Sequence, residues 1–156
     1  MEDQNSDLAF REIHHDELDQ LLSLYEYLHT KDLPLPHKGQ VQKVWLNICN
    51  NSELIYLGAF KDNQLISTCN LSIIQNMTRG CKPYGLIENV CTHPKNRRLG
   101  IGQRLMQYTL NLAWKQDCYK VMLLTGTSNA EAHKFYKASG FDSDAKHGFI
   151  AMPHRE

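Results

Sequence analysis

Apolar residues recur in this chain now at alternate positions, now at helical spacing, and the succession of the two periods predicts most of the fold. Residues 8–13 alternate in polarity, as a half-buried strand does. Leu18, Leu21, Leu22, Tyr25 and Leu28 then mark one face of a helix, with His15 or Asp16 near its cap. Leu33-Pro34-Leu35-Pro36-His37 breaks it, since proline removes a helical donor. A second helix is predicted over 39–50, with Val41, Val44, Trp45 and Ile48 inward. Two strands, 54–60 and 64–74, meet across Lys61-Asp62-Asn63 as a hairpin. An apolar strand over 85–92 leads into a helix on which Ile101, Leu105, Tyr108 and Leu112 recur. Residues 119–125 read as a buried strand. A last helix carries Ala132, Phe135 and Tyr136, capped by Ser128 or Asn129 and stopped by Gly140. Phe141 begins a further strand, and Gly148-Phe149-Ile150-Ala151-Met152 reads as an apolar sheet edge ahead of Pro153.

The segment joining the 85–92 strand to its helix carries the most chemistry. It runs Pro94-Lys95-Asn96-Arg97-Arg98-Leu99-Gly100-Ile101-Gly102-Gln103-Arg104. Gly100 and Gly102 fall where the helix begins, so a ligand can approach the main chain closely. The first N–H groups of a helix lack intrahelical acceptors and sit at the positive end of its dipole, which suits a phosphate or pyrophosphate. Gln103-Arg104 after Gly102 excludes a Walker loop, and Leu105 stands where a dinucleotide fingerprint needs its third glycine.

The spacing of Arg97, Gly100 and Gly102 after a strand and a proline resembles the acetyl-coenzyme A signature of the Gcn5-related N-acetyltransferases. Asn129, then Phe135-Tyr136, then Gly140-Phe141 resembles that family's second hallmark, in the right order. The resemblance covers about residues 52–150. It implies a mixed α/β fold: a twisted mixed sheet of six or seven strands flanked by about four helices, in one acetyltransferase domain spanning 1–156. The strand ending at Thr92 and the strand from Tyr119 would form a splayed central parallel pair, linked by a right-handed crossover. It also implies that Val90, Cys91 and Thr92 offer main-chain groups to the pantetheine arm. The amides of Arg98, Leu99, Gly100, Ile101, Gly102, Gln103 and Arg104, with Arg97, would meet the pyrophosphate, and Asn129 the lower part of the cosubstrate. Tyr136 matches the position of the general acid that protonates the departing thiolate, and it borders the cosubstrate. Glu88 is the candidate base for the ammonium, with Asn89 able to orient a water. Cys91 next to Thr92 and His93 suggests an acyl-cysteine route, but neighbouring side chains on a strand face opposite ways, so direct transfer is favoured.

The implied acceptor cleft spans residues 25–43 and 76–84. It contains His29, Lys31, Asp32, His37, Arg79 and Lys82 beside Tyr27, Trp45 and Tyr84, a mixture suited to a small polar amine carrying an acid or phosphate. Ile87-Glu88-Asn89-Val90 and Cys118-Tyr119-Lys120-Val121-Met122-Leu123 faintly resemble the aminosugar-phosphate acetyltransferases. Two other readings stay open: a non-catalytic acyl-CoA sensor of the same fold, and an enzyme acting on a protein amine.

Composition narrows these readings. Seventeen basic residues balance seventeen acidic ones, so no global field draws the chain to nucleic acid or an anionic membrane. No stretch approaches a membrane span, and Met1-Glu2-Asp3-Gln4-Asn5-Ser6-Asp7 is the reverse of a secretory signal. Five cysteines without a Cys-x-x-Cys pair argue for free thiols in the cytoplasm. Eight scattered histidines show no zinc spacing, so no metal is expected. The apolar 148–152 edge suggests a homodimer.

Overall fold

A computed structural model describes residues 8–29 and 31–153; the acidic Met1–Asp7 segment lies outside them. The chain divides into two compact units, residues 1–123 and 124–156.

In the first unit, β1 (Leu8–Glu12), β2 (Leu54–Lys61), β3 (Gln64–Ile74), β4 (Tyr84–Thr92) and β5 (Val121–Met122) form one sheet in the order β1-β2-β3-β4-β5. All neighbours are antiparallel except β4 and β5. The β2–β3 hairpin closes tightly, with Lys61 paired to Gln64. Asp62 and Asn63 both have positive φ, 50° and 61°, the backbone that a two-residue turn between twisted strands needs.

Side chains alternate across the sheet, so each face has its own cover. Phe60, Leu65 and Cys91 pack with Leu21 and Leu24 of α1 (Leu18–Tyr25) and Trp45 of α2 (Lys38–Cys49). Trp45 Nε1 donates to the His15 carbonyl at 2.8 Å, tying α2 to the turn that opens α1. The opposite face carries Ala59 and Ile66 against Ile101 of α3 (Ile101–Lys115). Leu105, Met106, Thr109 and Ala113 of α3 are fully buried. No helix among the described residues is long and apolar enough to cross a membrane.

The second unit holds α4 (Ala130–Ala138). Asn129 caps it, its Oδ1 accepting from the Ala132 N–H at 3.1 Å, while Phe135, Tyr136 and Phe141 form an edge-to-face aromatic group.

Three expectations are corrected. The sheet has five strands among the described residues rather than six or seven, because neither Phe141 nor 148–152 forms one. Phe149, Ile150 and Met152 are 96%, 69% and 75% exposed, and an apolar segment without a ladder to join has nothing to hold it extended. The strand expected over 119–125 shrinks to Val121–Met122. Val44, expected inward, is 52% exposed: Trp45 takes the core position on α2, and its neighbour is rotated about 100° away.

Candidate active site

The site is built on β4 and the loop that follows it. Along β3 and β4 the register runs regularly from Ile74↔Tyr84 to Asn70↔Glu88, then resumes at Thr68↔Cys91. One residue of β3, Cys69, thus opposes two of β4, Asn89 and Val90, which makes a β-bulge. Asn89 sits at φ +53°, a left-handed backbone that asparagine tolerates better than most residues. Its Nδ2 donates to Oδ1 of Asn70, only 5% exposed, at 3.0 Å. Tyr56, opposite Asn70 on β2, has its phenol pushed up by burial and drawn partly back by hydrogen bonding to Asn89. Asn70 and Tyr56 carry no motif, so sequence reasoning missed them; only the register of three strands brings them to the bulge.

Glu88 lies immediately before the bulge and is exposed. It shares a face with Asn70 and Tyr56, the face covered by α1 and α2, where Tyr56 meets the Trp45 ring at 5.5 Å. Nearby, the Tyr25 hydroxyl is enclosed without a hydrogen-bond partner among the described residues. Burial first, and then proximity to Tyr56, Cys69 and Cys91, push that phenol well above its ordinary value.

β4 pairs with β5 only at Gly85↔Val121 and Leu86↔Met122. From Ile87 onward β4 has no strand partner on that side among the described residues, so the main chain of Glu88 to Thr92 is available to a ligand that pairs as a strand would. Val90 is half-buried there, and Thr92 Oγ1 is held 2.7 Å from Ser67 Oγ. Cys91 points the other way: its Sγ donates to the Leu24 carbonyl at 3.4 Å, and burial raises its pKa. A thiol kept protonated and engaged with α1 is a poor nucleophile.

Beyond β4, His93 Nδ1 accepts from the Lys95 N–H at 3.2 Å and starts a short 3₁₀ turn, Pro94–Asn96. Arg97 Nε folds back onto the Thr92 carbonyl at 2.9 Å. Arg98 and Gly100 have φ of +61° and +75°, and Leu99 between them is 65% exposed. Two left-handed residues turn the chain sharply into α3, whose first helical bond runs from the Arg104 N–H to the Gly100 carbonyl at 3.1 Å. The N–H groups of Ile101, Gly102 and Gln103 thus precede the ladder. A Cβ built on Gly100 meets nothing within 4 Å, so this rim is open. Arg104 lies over the Phe10 ring at 5.1 Å.

The structure therefore gathers Glu88, Val90, Cys91, Thr92 and the residues from Arg97 to Arg104 along one strand-to-helix path. Asn129, the cap of α4, and Tyr136 within that helix lie in the second unit, where Tyr136 is half-buried between Phe135 and Phe141. Of the residues expected at an acceptor cleft, Trp45 is a core residue at 4% exposure. His37 caps α2, its Nδ1 accepting from the Gln40 N–H at 3.3 Å.

A mixed sheet whose bulged strand leads into the N-terminus of a long helix is the frame of this site. Residues 14–141 match the Acetyltransferase (GNAT) family, and the chain belongs to it. It is 31% identical over 78 residues to the glucosamine 6-phosphate N-acetyltransferase of Trypanosoma brucei brucei. That match covers 50% of this chain and spans about half of the relative, 51%. A structure from Agrobacterium tumefaciens, provisionally named an acetyltransferase, superposes with a TM-score of 0.87 at 32% identity, over 92% of this chain and 99% of that one. The aminoglycoside N-acetyltransferase AAC(6')-Iy, solved with CoA, shares the fold at a TM-score of 0.72 and 18% identity, over 94% and 100%.

Proposed function

We propose that this protein is an acetyl-CoA-dependent N-acetyltransferase that passes the acetyl group directly to the primary amine of a small polar acceptor, all within one acetyltransferase domain. The observation that carries this reading is the β4 path itself: a bulge at Asn89, an unpaired edge beyond Leu86, and Gly100 opening α3. These groups fit acetyl-CoA. The free main chain of Val90, Cys91 and Thr92 suits a pantetheine amide arm. The N–H groups from Arg98 to Arg104 suit a pyrophosphate, and Arg97 stiffens the loop by holding the Thr92 carbonyl. When bound, the cosubstrate supplies the activated thioester; the remaining work falls to the chain. Glu88 accepts the ammonium proton, directly or through a water that Asn89 orients. A β4 N–H near Val90 polarises the acyl carbonyl. Tyr136 donates a proton to the leaving sulfur, as a phenol can to a developing thiolate. Asn129 contacts the cosubstrate from α4.

Cys91, buried and bonded to α1, supports direct transfer over an acyl-cysteine. Five free thiols suit a cytoplasmic protein. The names of relatives direct the acceptor search to amino sugar phosphates. The exposed Phe149, Ile150 and Met152 favour a homodimer, and a monomer mass by light scattering at micromolar concentration would refute it. The deciding assay measures CoA release with a thiol-reactive dye across amino sugars, their phosphates, aminoglycosides, polyamines and amino acids. Amine-dependent release supports the proposal; hydrolysis alone, or no release with any amine, overturns it.

A further inference from the structure

The geometry points to an anion-recognition subsite for the acceptor, built by Arg79, Lys120, Tyr84 and Tyr119, that takes the phosphate of an amine-bearing sugar monophosphate. This rests on the acetyltransferase reading above.

On β4, Tyr84, Leu86 and Glu88 fall on one face, with no break in register between them. Leu86 is paired with Met122 of β5, which is 40% exposed, so the two form a partly open apolar floor. Glu88 stands at one end of this strip and Tyr84 at the other, four residues or roughly 13 Å along the strand.

Cations gather at the Tyr84 end. Lys120 Nζ lies 5.1 Å from the centroid of the Tyr84 ring and 5.6 Å from that of Tyr119. Arg79 Cζ lies 5.9 Å from the same Tyr119 ring. The rings meet edge-to-face at 6.3 Å. Lys82 binds Asp117 at 2.8 Å, which joins the 76–83 loop to the turn before Tyr119. Neither Arg79 nor Lys120 has a carboxylate within 4.0 Å among the described residues. Both cations border the Tyr119 ring without a carboxylate partner, and a phosphate would give them a charged acceptor. The amine then lies at Glu88 and the phosphate at the cationic end, while a sugar ring rests its apolar face on Leu86 and Met122.

The test measures binding by calorimetry to the intact protein, so it does not depend on turnover. The probes are a hexosamine 6-phosphate, the free hexosamine and inorganic phosphate, each with and without added KCl. The hexosamine phosphate is expected to bind at least 10-fold more tightly than either other probe, with an affinity that falls as salt rises. Arg79→Gln and Lys120→Gln should each cut the preference for the phosphorylated sugar by about 10- to 100-fold, the range of a charge-assisted hydrogen bond. Equal binding of the two sugars, equal binding of inorganic phosphate, or a preference untouched by both substitutions overturns the subsite. Thermal unfolding of each variant checks that it is folded. Acetyl transfer to amines without any phosphate preference removes the subsite and leaves the acetyltransferase reading standing. Phosphate-dependent binding without acetyl transfer to any amine supports the subsite and removes that reading.

Discussion

Replacing Asn89 separates the two things this residue does for the bulge. Alanine at φ +53° meets the steric penalty of the left-handed region, about 1–2 kcal/mol, whereas glycine adopts it freely. Either substitution removes the 3.0 Å bond to Asn70 and leaves that buried carbonyl oxygen without a partner, at about 1–3 kcal/mol. Asn89→Ala should therefore lose about 2–5 kcal/mol, and Asn89→Gly about 1–2 kcal/mol less than alanine does. Urea unfolding followed by tryptophan fluorescence provides the assay, since Trp45 is 4% exposed and lies against Tyr56 beside the bulge. The double variant Asn70→Ala/Asn89→Ala should fall short of additivity by about 0.5–1.5 kcal/mol. Equal stability of the alanine and glycine variants would show that backbone strain plays no part. Strict additivity would show that the asparagine pair is uncoupled.

Three further outcomes follow from the same structure. Tyr136→Phe should lower kcat by about 10²–10⁴ with acetyl-CoA affinity nearly unchanged, and wild-type turnover would reduce Tyr136 to a packing residue. Glu88→Gln should slow turnover chiefly at low pH, where the amine is protonated; a defect constant from about pH 6 to 9.5 would point to substrate positioning instead. The Arg11 guanidinium, 2.7 Å away, holds the Glu17 carboxyl below its ordinary value, so the stability of the pair is present above the unfolded pKa of about 4.3 and fades as pH falls through the lower folded one. Glu17→Gln should thus cost up to about 1 kcal/mol at pH 7 and little near pH 3, checked by urea midpoints at both; an unchanged gap would refute the linkage.

Period and turn chemistry carry most of the elements described between Leu8 and Cys118. The hairpin across Asp62-Asn63, α1, α3 and a cap at Ser128 or Asn129, which the structure gives to Asn129, are all legible, because each rests on neighbours close in sequence. The bulge is not. β4 is apolar enough that one extra residue leaves no mark on its pattern, and Asn89 at positive φ resembles any other asparagine until Asn70 and Tyr56 are brought beside it. The same holds for Tyr119 and Lys120, which meet Tyr84 only through the short parallel ladder, 35 and 36 residues from it in sequence. At the C-terminal end the pattern is apolar but forms no strand, since Phe149 and Ile150 have no ladder to join among the described residues.

The most direct test of the account is calorimetry of acetyl-CoA binding to the wild-type protein and to Gly102→Glu. Gly102 lies in the first turn of α3, where the N–H groups precede the helical ladder. A glutamate there fills the approach to the main chain and sets a carboxylate against the phosphates. The wild type should bind, and the variant should lose detectable binding while its circular dichroism and unfolding midpoint stay close to wild type. Unchanged affinity in the folded variant would contradict the assignment of the β4–α3 path as the acetyl-CoA site.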